Sequence, residues 1–208
     1  MILALAAGLL ALAGCKSTAT DTACCTPDAT NAAAMKLPEV VAPMVSAPTN
    51  APTAEEWPLP PVRIKAGPSP KFTDAEGNVW ITDRGFLDGD IFERPEVNVA
   101  NTTTPGIYRS ERFSMSAFSY PVPNGKYVVK LHFAETYEGI EGPGGRVFSF
   151  NVKGVEFADF DVWVKAGGPM KAYVETVPVE VKDGKLDITF TPKEQNPEIN
   201  GIEILPGE

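Results

Sequence analysis

The chain has 208 residues, of which 43% are hydrophobic and 22% are charged, and a formal net charge of −9 at pH 7. Residues 62–208 hold 16 of the 18 basic and 22 of the 27 acidic residues, and this acidic balance disfavours nucleic acid as a ligand. The chain shows no basic amphipathic helix and no apolar stretch of about 20 residues, so we expect membrane contact only through an attached lipid.

Residues 1–14, MILALAAGLLALAG, form an apolar run that is too short to cross a membrane and ends in small residues, as a signal peptide does. The segment from Leu12 to Cys15, LAGC, resembles the lipobox of bacterial lipoproteins, in which cleavage precedes the cysteine and its thiol receives diacylglycerol. The resemblance implies lipidation of Cys15 and a place in the cell envelope, with the folded domain in the periplasm or at the cell surface. By resemblance to the sorting rule of enterobacterial lipoproteins, Lys16 after the cysteine, in place of an aspartate, favours the outer membrane over the inner one. An ordinary cleaved secretion signal is the alternative.

Residues 16–61 contain 8 prolines in 46 positions, much Ala and Thr, and no alternating apolar pattern. Together with Cys15 they are predicted to form a disordered Pro/Ala/Thr-rich tether over residues 15–61. Cys24 and Cys25 are adjacent, and a bridge between them would close a strained ring, so we expect them to be free, paired with another chain or incidental. Residues 62–208 lack cysteine and must fold as one domain on a hydrophobic core.

Alternating apolar residues and turn signals predict β-strands throughout residues 62–208. The clearest segments are GKYVVKLHF (125–133), RVFSFNV (146–152) and VETVPVEVKDGKLDITF (174–190), and the last is predicted to be a hairpin around Asp183-Gly184. Further strands are expected at residues 62–66, 114–120, 157–164 and 199–205. The prolines at 95 and 105 bound a predicted long loop.

Many short strands in about 150 residues are typical of an all-β domain. We predict an antiparallel β-sandwich of the jelly-roll, galactose-binding-like type. Long loops at one end of such a sandwich are where a ligand is commonly held.

Six segments run through nearly the whole predicted domain in a fixed order: RIKAG (63–67), FTDAEGNVWITDRGF (72–86), YRSERF (108–113), PVPNGKYVVKLHFAETY (121–137), RVFSFNVKGVEFADFDVW (146–163) and NPEINGIEIL (196–205). Together they resemble the malectin and malectin-like carbohydrate-binding domains. The resemblance implies a β-sandwich whose loops bind glucose-containing or related oligosaccharides through aromatic side chains, without catalysis and without a cofactor or metal.

The resemblance also implies a set of site residues. The tyrosine of the family's TERY segment corresponds to Phe113, and the aromatic residue that follows its tryptophan segment corresponds to Phe86. The aromatic pair after FAE corresponds to Tyr137 and Glu138, and the acid before NP corresponds to Gln195. The aromatic residues are largely kept, whereas several groups that would bind sugar hydroxyls differ.

The chemistry of a sugar agrees with this combination of residues. A pyranose has an apolar C–H face that stacks on an aromatic ring and a rim of hydroxyls that need acid or amide partners. Tyr137 follows a predicted strand and precedes the glycine-rich segment EGIEGPGG, so we expect its ring at a strand end, open to a ligand. The alternative is that Tyr137 packs as an ordinary rim residue.

Several acidic residues allow other interpretations. Asp159 and Asp161, at spacing two, could mimic the carboxyl pair of a glycosidase, but a solvent-facing strand is the simpler interpretation. Asp88, Asp90 and Glu93 could bind calcium, yet they lack EF-hand spacing, which favours a plain acidic loop.

His132 lies opposite in phase to the apolar face of its strand, which predicts a solvated or hydrogen-bonded side chain rather than a catalyst. Glu111 and Arg112 are expected to serve the structure or to orient Phe113.

The sequence therefore predicts a surface-tethered carbohydrate-binding module that is not an enzyme. The main alternative is a protein-interaction or scaffold module of the cell envelope that has lost sugar binding, because a fold does not fix a function. A minimal glycoside hydrolase is the weakest alternative, since one domain would have to supply both carboxylates.

Overall fold

The structure is a computed structural model and describes residues 57–208, so the predicted signal peptide, Cys15 and most of the predicted tether lie outside it. The described residues contain a 3-10 helix (Pro105–Arg109), a short helix α1 (Val162–Ala166) and fourteen strands. Neither helix in this range is long and apolar enough to span a membrane. The strands are β1 (Val62–Lys65), β2 (Phe72–Thr73), β3 (Val79–Trp80), β4 (Phe86–Leu87), β5 (Asp90–Glu93), β6 (Ser110–Phe113), β7 (Ala117–Pro121), β8 (Gly125–Phe133), β9 (Val147–Val152), β10 (Val155–Phe160), β11 (Tyr173–Val181), β12 (Lys185–Glu194), β13 (Glu198–Ile199) and β14 (Gly201–Pro206).

Two sheets face each other across one core. A four-stranded sheet has the order β1-β14-β8-β11, a five-stranded sheet has the order β10-β9-β12-β7-β4, and their neighbouring strands are antiparallel. Rings from the two sheets meet inside, as Phe133 of β8 and Phe150 of β9 do with ring centres 5.8 Å apart. The predicted antiparallel β-sandwich is confirmed.

Aromatic rings fill one part of this core. Phe133, Phe148, Phe150 and Phe160 are each at most 2% exposed, and the distances between their ring centres run from 5.0 to 6.2 Å. These separations are typical of favourable aromatic pairs. The alternation of β8 and β9 therefore predicts the core face correctly.

A smaller apolar cluster covers the outer face of the four-stranded sheet. Trp80 and Ile107 pack over Gly201, where an added Cβ would lie 3.0 Å from the Trp80 ring and 3.2 Å from Ile107. His132 is buried under this cluster, with Nδ1 2.9 Å from the Tyr108 hydroxyl and Nε2 2.9 Å from a Glu203 carboxylate oxygen. The hydrogen-bonded alternative for His132 is confirmed and the solvated one is wrong, because the cluster covers this face.

The predicted hairpin at residues 174–190 is wrong, although both of its strands exist. β11 pairs with β8, whereas β12 pairs with β7 and β9 in the opposite sheet. The turn at Asp183-Gly184 therefore carries the chain from one sheet to the other. The apolar faces of β11 and β12 meet the same core from opposite sides, which a hairpin within one sheet would not allow.

The strand predicted at residues 157–164 ends early, at Phe160. Asp161 accepts a hydrogen bond from the backbone N of Val164 at 3.1 Å, which caps α1, and Gly167 ends that helix in the left-handed conformation. In α1 Val162 is buried and Val164 is exposed, whereas a strand would place both valines on the same face.

The start of the described chain packs on the sandwich. The Trp57 ring meets the Tyr120 ring edge-on at 4.8 Å, and the guanidinium carbon of Arg84 lies 4.3 Å from the centre of the Trp57 ring. The Tyr120 hydroxyl donates to the carbonyl oxygen of Pro58 at 2.8 Å. Residues 57–61, which the sequence assigns to the tether, thus contact the folded domain.

Candidate functional site

A cavity of about 630 Å³ lies at one end of the sandwich. β8 ends at Phe133 and β12 ends at Glu194, so the residues after these strands extend beyond the sheets and form part of its walls. The volume is within the range of roughly 300–1,000 Å³ that is usual for small-molecule sites. The lining residues are Phe92, Arg94, Val97, Glu111, Phe113, Thr136, Tyr137, Glu138, Arg146, Gln195 and Asn196.

Four of the five carbohydrate-binding residues predicted from the sequence line this cavity. They are Phe113, Tyr137, Glu138 and Gln195. The fifth, Phe86, lies in β4 at the edge of the five-stranded sheet, where its ring is 5.0 Å from that of Phe118 and is not part of the lining.

Two half-exposed aromatic rings form the most exposed apolar part of the site. Phe92 is 49% exposed and Tyr137 is 48% exposed. The guanidinium carbon of Arg94 lies 4.4 Å from the centre of the Phe92 ring and 5.9 Å from that of Tyr137, within the range of a cation–π contact. An added Cβ at Gly139 would lie 2.5 Å from the Tyr137 ring, so the glycine-rich segment makes room for that ring.

Arg94 is held in place by an ion pair below the rings. Its Nη1 lies 3.1 Å from a carboxylate oxygen of Glu111, which is 3% exposed. Thr136 donates to the other Glu111 oxygen at 3.3 Å and accepts from Arg94 at 3.3 Å. Glu111, which the sequence analysis expects to serve the structure or to orient Phe113, is also one of the residues that line the cavity.

A second buried ion pair fixes the loops that carry Tyr137 and Asn196. Arg146 donates from Nε to a Glu135 oxygen at 2.7 Å and from Nη1 to the carbonyl of Asn196 at 2.6 Å. The other Glu135 oxygen accepts from the backbone N of Tyr137 at 3.0 Å. Glu135 thereby connects Arg146 to the backbone of the aromatic residue.

A third buried carboxyl group, that of Glu198, lies close to both pairs. It is fully buried, and burial raises its pKa well above the usual value, with a further increase from Glu111 and Glu135. A raised pKa means that the carboxyl of Glu198 keeps its proton at pH values where an exposed glutamate has begun to lose it.

Sequence reasoning missed Phe92, Arg94, Glu135 and Arg146. Phe92 stands in a short acidic segment, DIFERP, and a large apolar residue there is the one local sign of an exposed ring. The two ion pairs connect residues far apart in the chain, so no spacing in the sequence reveals them.

Several of the other acidic candidates have structural partners. Asp159 lies 2.8 Å from Lys193 Nζ, whereas Asp161 caps α1, so the two carboxylates do not act as a pair. Asp88 accepts from the hydroxyl and backbone N of Ser116, and these hydrogen bonds lower its pKa. Among residues 57–208 no group of three His, Cys, Asp or Glu side chains is placed to hold a metal ion.

A β-sandwich with a ring-lined cavity at one end has a volume and lining suited to a ligand. The family model of the Malectin domain matches residues 62–202, more than half of the chain. The chain therefore belongs to the malectin domain family.

The curated relatives are plant receptor kinases. The chain is 32% identical over 128 residues to the probable LRR receptor-like serine/threonine-protein kinase At1g53420 of Arabidopsis thaliana. The aligned region covers 52% of this chain and 13% of that protein. The chain is also 30% identical over 142 residues to At3g14840 of the same plant, a probable leucine-rich repeat receptor-like serine/threonine-protein kinase. This aligned region covers 58% of this chain and 14% of that protein. The chain thus spans about one seventh of these relatives.

Solved structures with the same fold include a plant receptor and a bacterial enzyme. The plant receptor-like kinase FER has a TM-score of 0.58 at 23% identity, over 70% of this chain and 42% of that chain. Bacteroides uniformis β-glucuronidase has a TM-score of 0.64 at 17% identity, over 71% of this chain and 18% of that chain. A third match is a chain in the crystal structure of the plant peptide RALF23 in complex with FER and LLG2. Its TM-score is 0.58 at 16% identity, over 69% of this chain and 47% of that chain. At these identities the likeness shows the fold alone.

Proposed function

We propose that the domain binds an oligosaccharide, glucose-containing or related, in the end cavity and performs no chemistry on it. The observation that carries the proposal is the pair of half-exposed rings, Phe92 and Tyr137, in contact with Arg94. Exposed rings beside a charged group suit a sugar, since one face of a pyranose is apolar and its rim is polar.

Polar groups for the sugar hydroxyls stand next to these rings. Glu138, Gln195 and Asn196 are exposed lining residues and supply one carboxylate and two amides. Carboxylates accept hydrogen bonds and amides both donate and accept, so together they can pair with a hydroxyl in either role. Membership of the malectin domain family supports the same proposal.

The carboxylates of the cavity favour binding over hydrolysis. Glycoside hydrolysis needs two carboxyl groups that flank the scissile bond and are free to donate and accept a proton. Glu111 is already paired with Arg94, and Glu135, under the loop, is paired with Arg146. Only Glu138 among the lining residues is an exposed acid.

The test is a glycan array probed with the chain carrying Cys15→Ala, followed by titration calorimetry of the best glycan. A shallow cavity covers one face of each sugar, so we expect a micromolar to millimolar Kd, about −8 to −4 kcal/mol. Failure to bind any glycan on a broad array would contradict the proposal.

A protein partner is the second candidate. Within the part of the chain that the structure describes, β5 pairs with β6 alone, and all four of its residues are exposed, so its other edge can accept an extended segment. A structural relative, FER, has been seen in complex with the peptide RALF23 and with LLG2. Replacing Ile91 by proline removes a backbone donor from this edge and distinguishes the two candidates, because sugar binding at the rings should persist while binding of a strand should not.

We also propose that Cys15 is lipidated and holds the chain at the envelope membrane, more specifically the outer membrane, through the tether. The support is the LAGC segment directly after an apolar run. Cys15→Ala should move the protein from the membrane fraction to the soluble or secreted fraction. Unchanged fractionation would contradict the anchor, and Cys24→Ala is the matched control that should leave fractionation unaltered.

A further inference from the structure

Glu198 lies behind the cavity wall with its whole side chain buried and without a partner. It is 0% exposed, and neither carboxyl oxygen has a hydrogen-bond partner among residues 57–208. β13 pairs with β6 in a register that places Glu198 opposite Phe113, which lines the cavity. A buried polar group with no partner is destabilising, so its presence calls for a reason.

The charged groups that face Glu198 come from four different parts of the chain. They are Glu111 in β6, Glu135 after β8, Arg146 before β9 and Arg94 after β5. Arg94 is paired with Glu111 and Arg146 with Glu135. Two guanidinium groups balance two carboxylates, so an ionised Glu198 would be a buried negative charge without its own counter-ion.

The Arg146–Glu135 pair is the connection from Glu198 to the ligand site. Arg146 holds one Glu135 oxygen at 2.7 Å, and the other oxygen accepts from the backbone N of Tyr137 at 3.0 Å. An ionised Glu198 would compete with Glu135 for Arg146. Glu135 would then lose the partner that aligns it under Tyr137.

We propose that Glu198 is a positioning residue of the cavity. While Glu198 is neutral, Arg146 stays paired with Glu135, and Glu135 holds the backbone N of Tyr137. When Glu198 loses its proton to solvent, Arg146 moves toward it, and the hydrogen bond between Glu135 and the Tyr137 backbone is lost. The cavity is formed while Glu198 is protonated and is altered as the pH rises through its ionisation. The effect on ligand rests on the proposed sugar binding, whereas the coupling between Glu198 and Tyr137 does not.

The coupling is tested without a ligand by an NMR pH titration of the chain carrying Cys15→Ala. The readouts are the side-chain carboxyl carbon of Glu198 and the backbone amide of Tyr137, and we expect the two to change with one shared midpoint. Different midpoints in this protein, or a Tyr137 amide that does not change, would overturn the proposal even if every further variant failed to fold.

Two variants identify the titrating group. Glu198→Gln keeps the shape of the neutral acid and cannot ionise, so the change at the Tyr137 amide should disappear. Glu141→Gln removes an exposed carboxylate from the loop that follows Tyr137 and should leave the change in place. A Tyr137 transition that survives Glu198→Gln would show that another group controls this loop.

Binding gives an independent measurement with maltotetraose and cellotetraose as probes. One-proton linkage predicts an affinity that falls about tenfold for each pH unit above the Glu198 midpoint, and a flat profile for Glu198→Gln. A flat profile in the parent protein would overturn the pH control of binding. Absence of binding to any glycan at any pH, with the NMR coupling intact, would overturn the proposed function and leave the coupling standing.

Discussion

The aromatic residues inside the sandwich and those at the cavity differ in what they contact. Phe133, Phe150 and Phe160 pack ring against ring and are at most 2% exposed. Phe92 and Tyr137 are about half exposed and contact a guanidinium group. Position relative to the sheets explains the difference, because a ring that points into the space between the two sheets is covered by the opposite sheet. Phe92 on β5 and Tyr137 in the loop after β8 lie outside that space, so the same type of side chain stays half exposed there.

The largest effect should come from the interior. Phe150→Ala removes a ring that contacts those of Phe133, Phe148, Phe157, Phe160 and Phe190. We expect the free energy of unfolding to fall by about 3–5 kcal/mol, since loss of a buried ring leaves a cavity. Denaturant unfolding measures this change. Phe92→Ala is the matched control and should change the free energy of unfolding by about 0.5 kcal/mol or less. Comparable losses for both variants would contradict the distinction between buried and half-exposed aromatic residues.

The next effect concerns binding at the half-exposed rings. Tyr137→Ala removes ring burial against a sugar worth about 2 kcal/mol, which corresponds to a loss of affinity of roughly 30-fold. Calorimetry against the best glycan should show this loss while the melting temperature stays unchanged. Tyr137→Phe keeps the ring and should retain most of the affinity. Wild-type affinity in Tyr137→Ala would mean that the ring does not contact the ligand.

An effect that is smaller for each pH unit should come from Glu198. Its pKa in the folded state lies above the value in the unfolded chain, so between the two values the folded state holds more protons. Stability should therefore fall as the pH rises through this window, with a limiting slope of about 1.4 kcal/mol per pH unit from this one group. Glu198→Gln should remove that slope, measured as the difference between the two proteins' unfolding free energies from pH 5 upward. Parallel pH profiles would show that Glu198 ionises normally.

The sequence predicts the strands better than their pairing. The alternation at Tyr127, Val129 and Leu131 identifies a core face because period two has one physical cause, burial of one side of a strand. The Asp183-Gly184 turn, by contrast, fits a hairpin or a crossing between sheets equally well. The choice depends on strands outside this segment, because β8 pairs with β11 in one sheet and β9 pairs with β12 in the other.

The residues of the candidate site likewise include some that the sequence predicts and some that it does not. Tyr137 and Gln195 are accessible to sequence reasoning because each follows the end of a recognisable strand and matches a family segment. Arg94 and Arg146 are not, because their role comes from carboxylates 17 residues later and 11 residues earlier that only the folded chain brings near. Phe86 matches the family segment as well as Phe113 does, yet the fold places it against Phe118, away from the cavity.

The contact of Trp57 with Tyr120 has a mechanical consequence. Tyr120 lies opposite Leu186 near the start of β12, and the cavity residue Gln195 follows the other end of that strand, about 30 Å away at roughly 3.3 Å per residue. If a ligand is held in the cavity as proposed, a pull on the chain before Trp57 would therefore run along the strands. β1 would be loaded in shear against β14, with the hydrogen bonds of their ladder strained together rather than opened one after another.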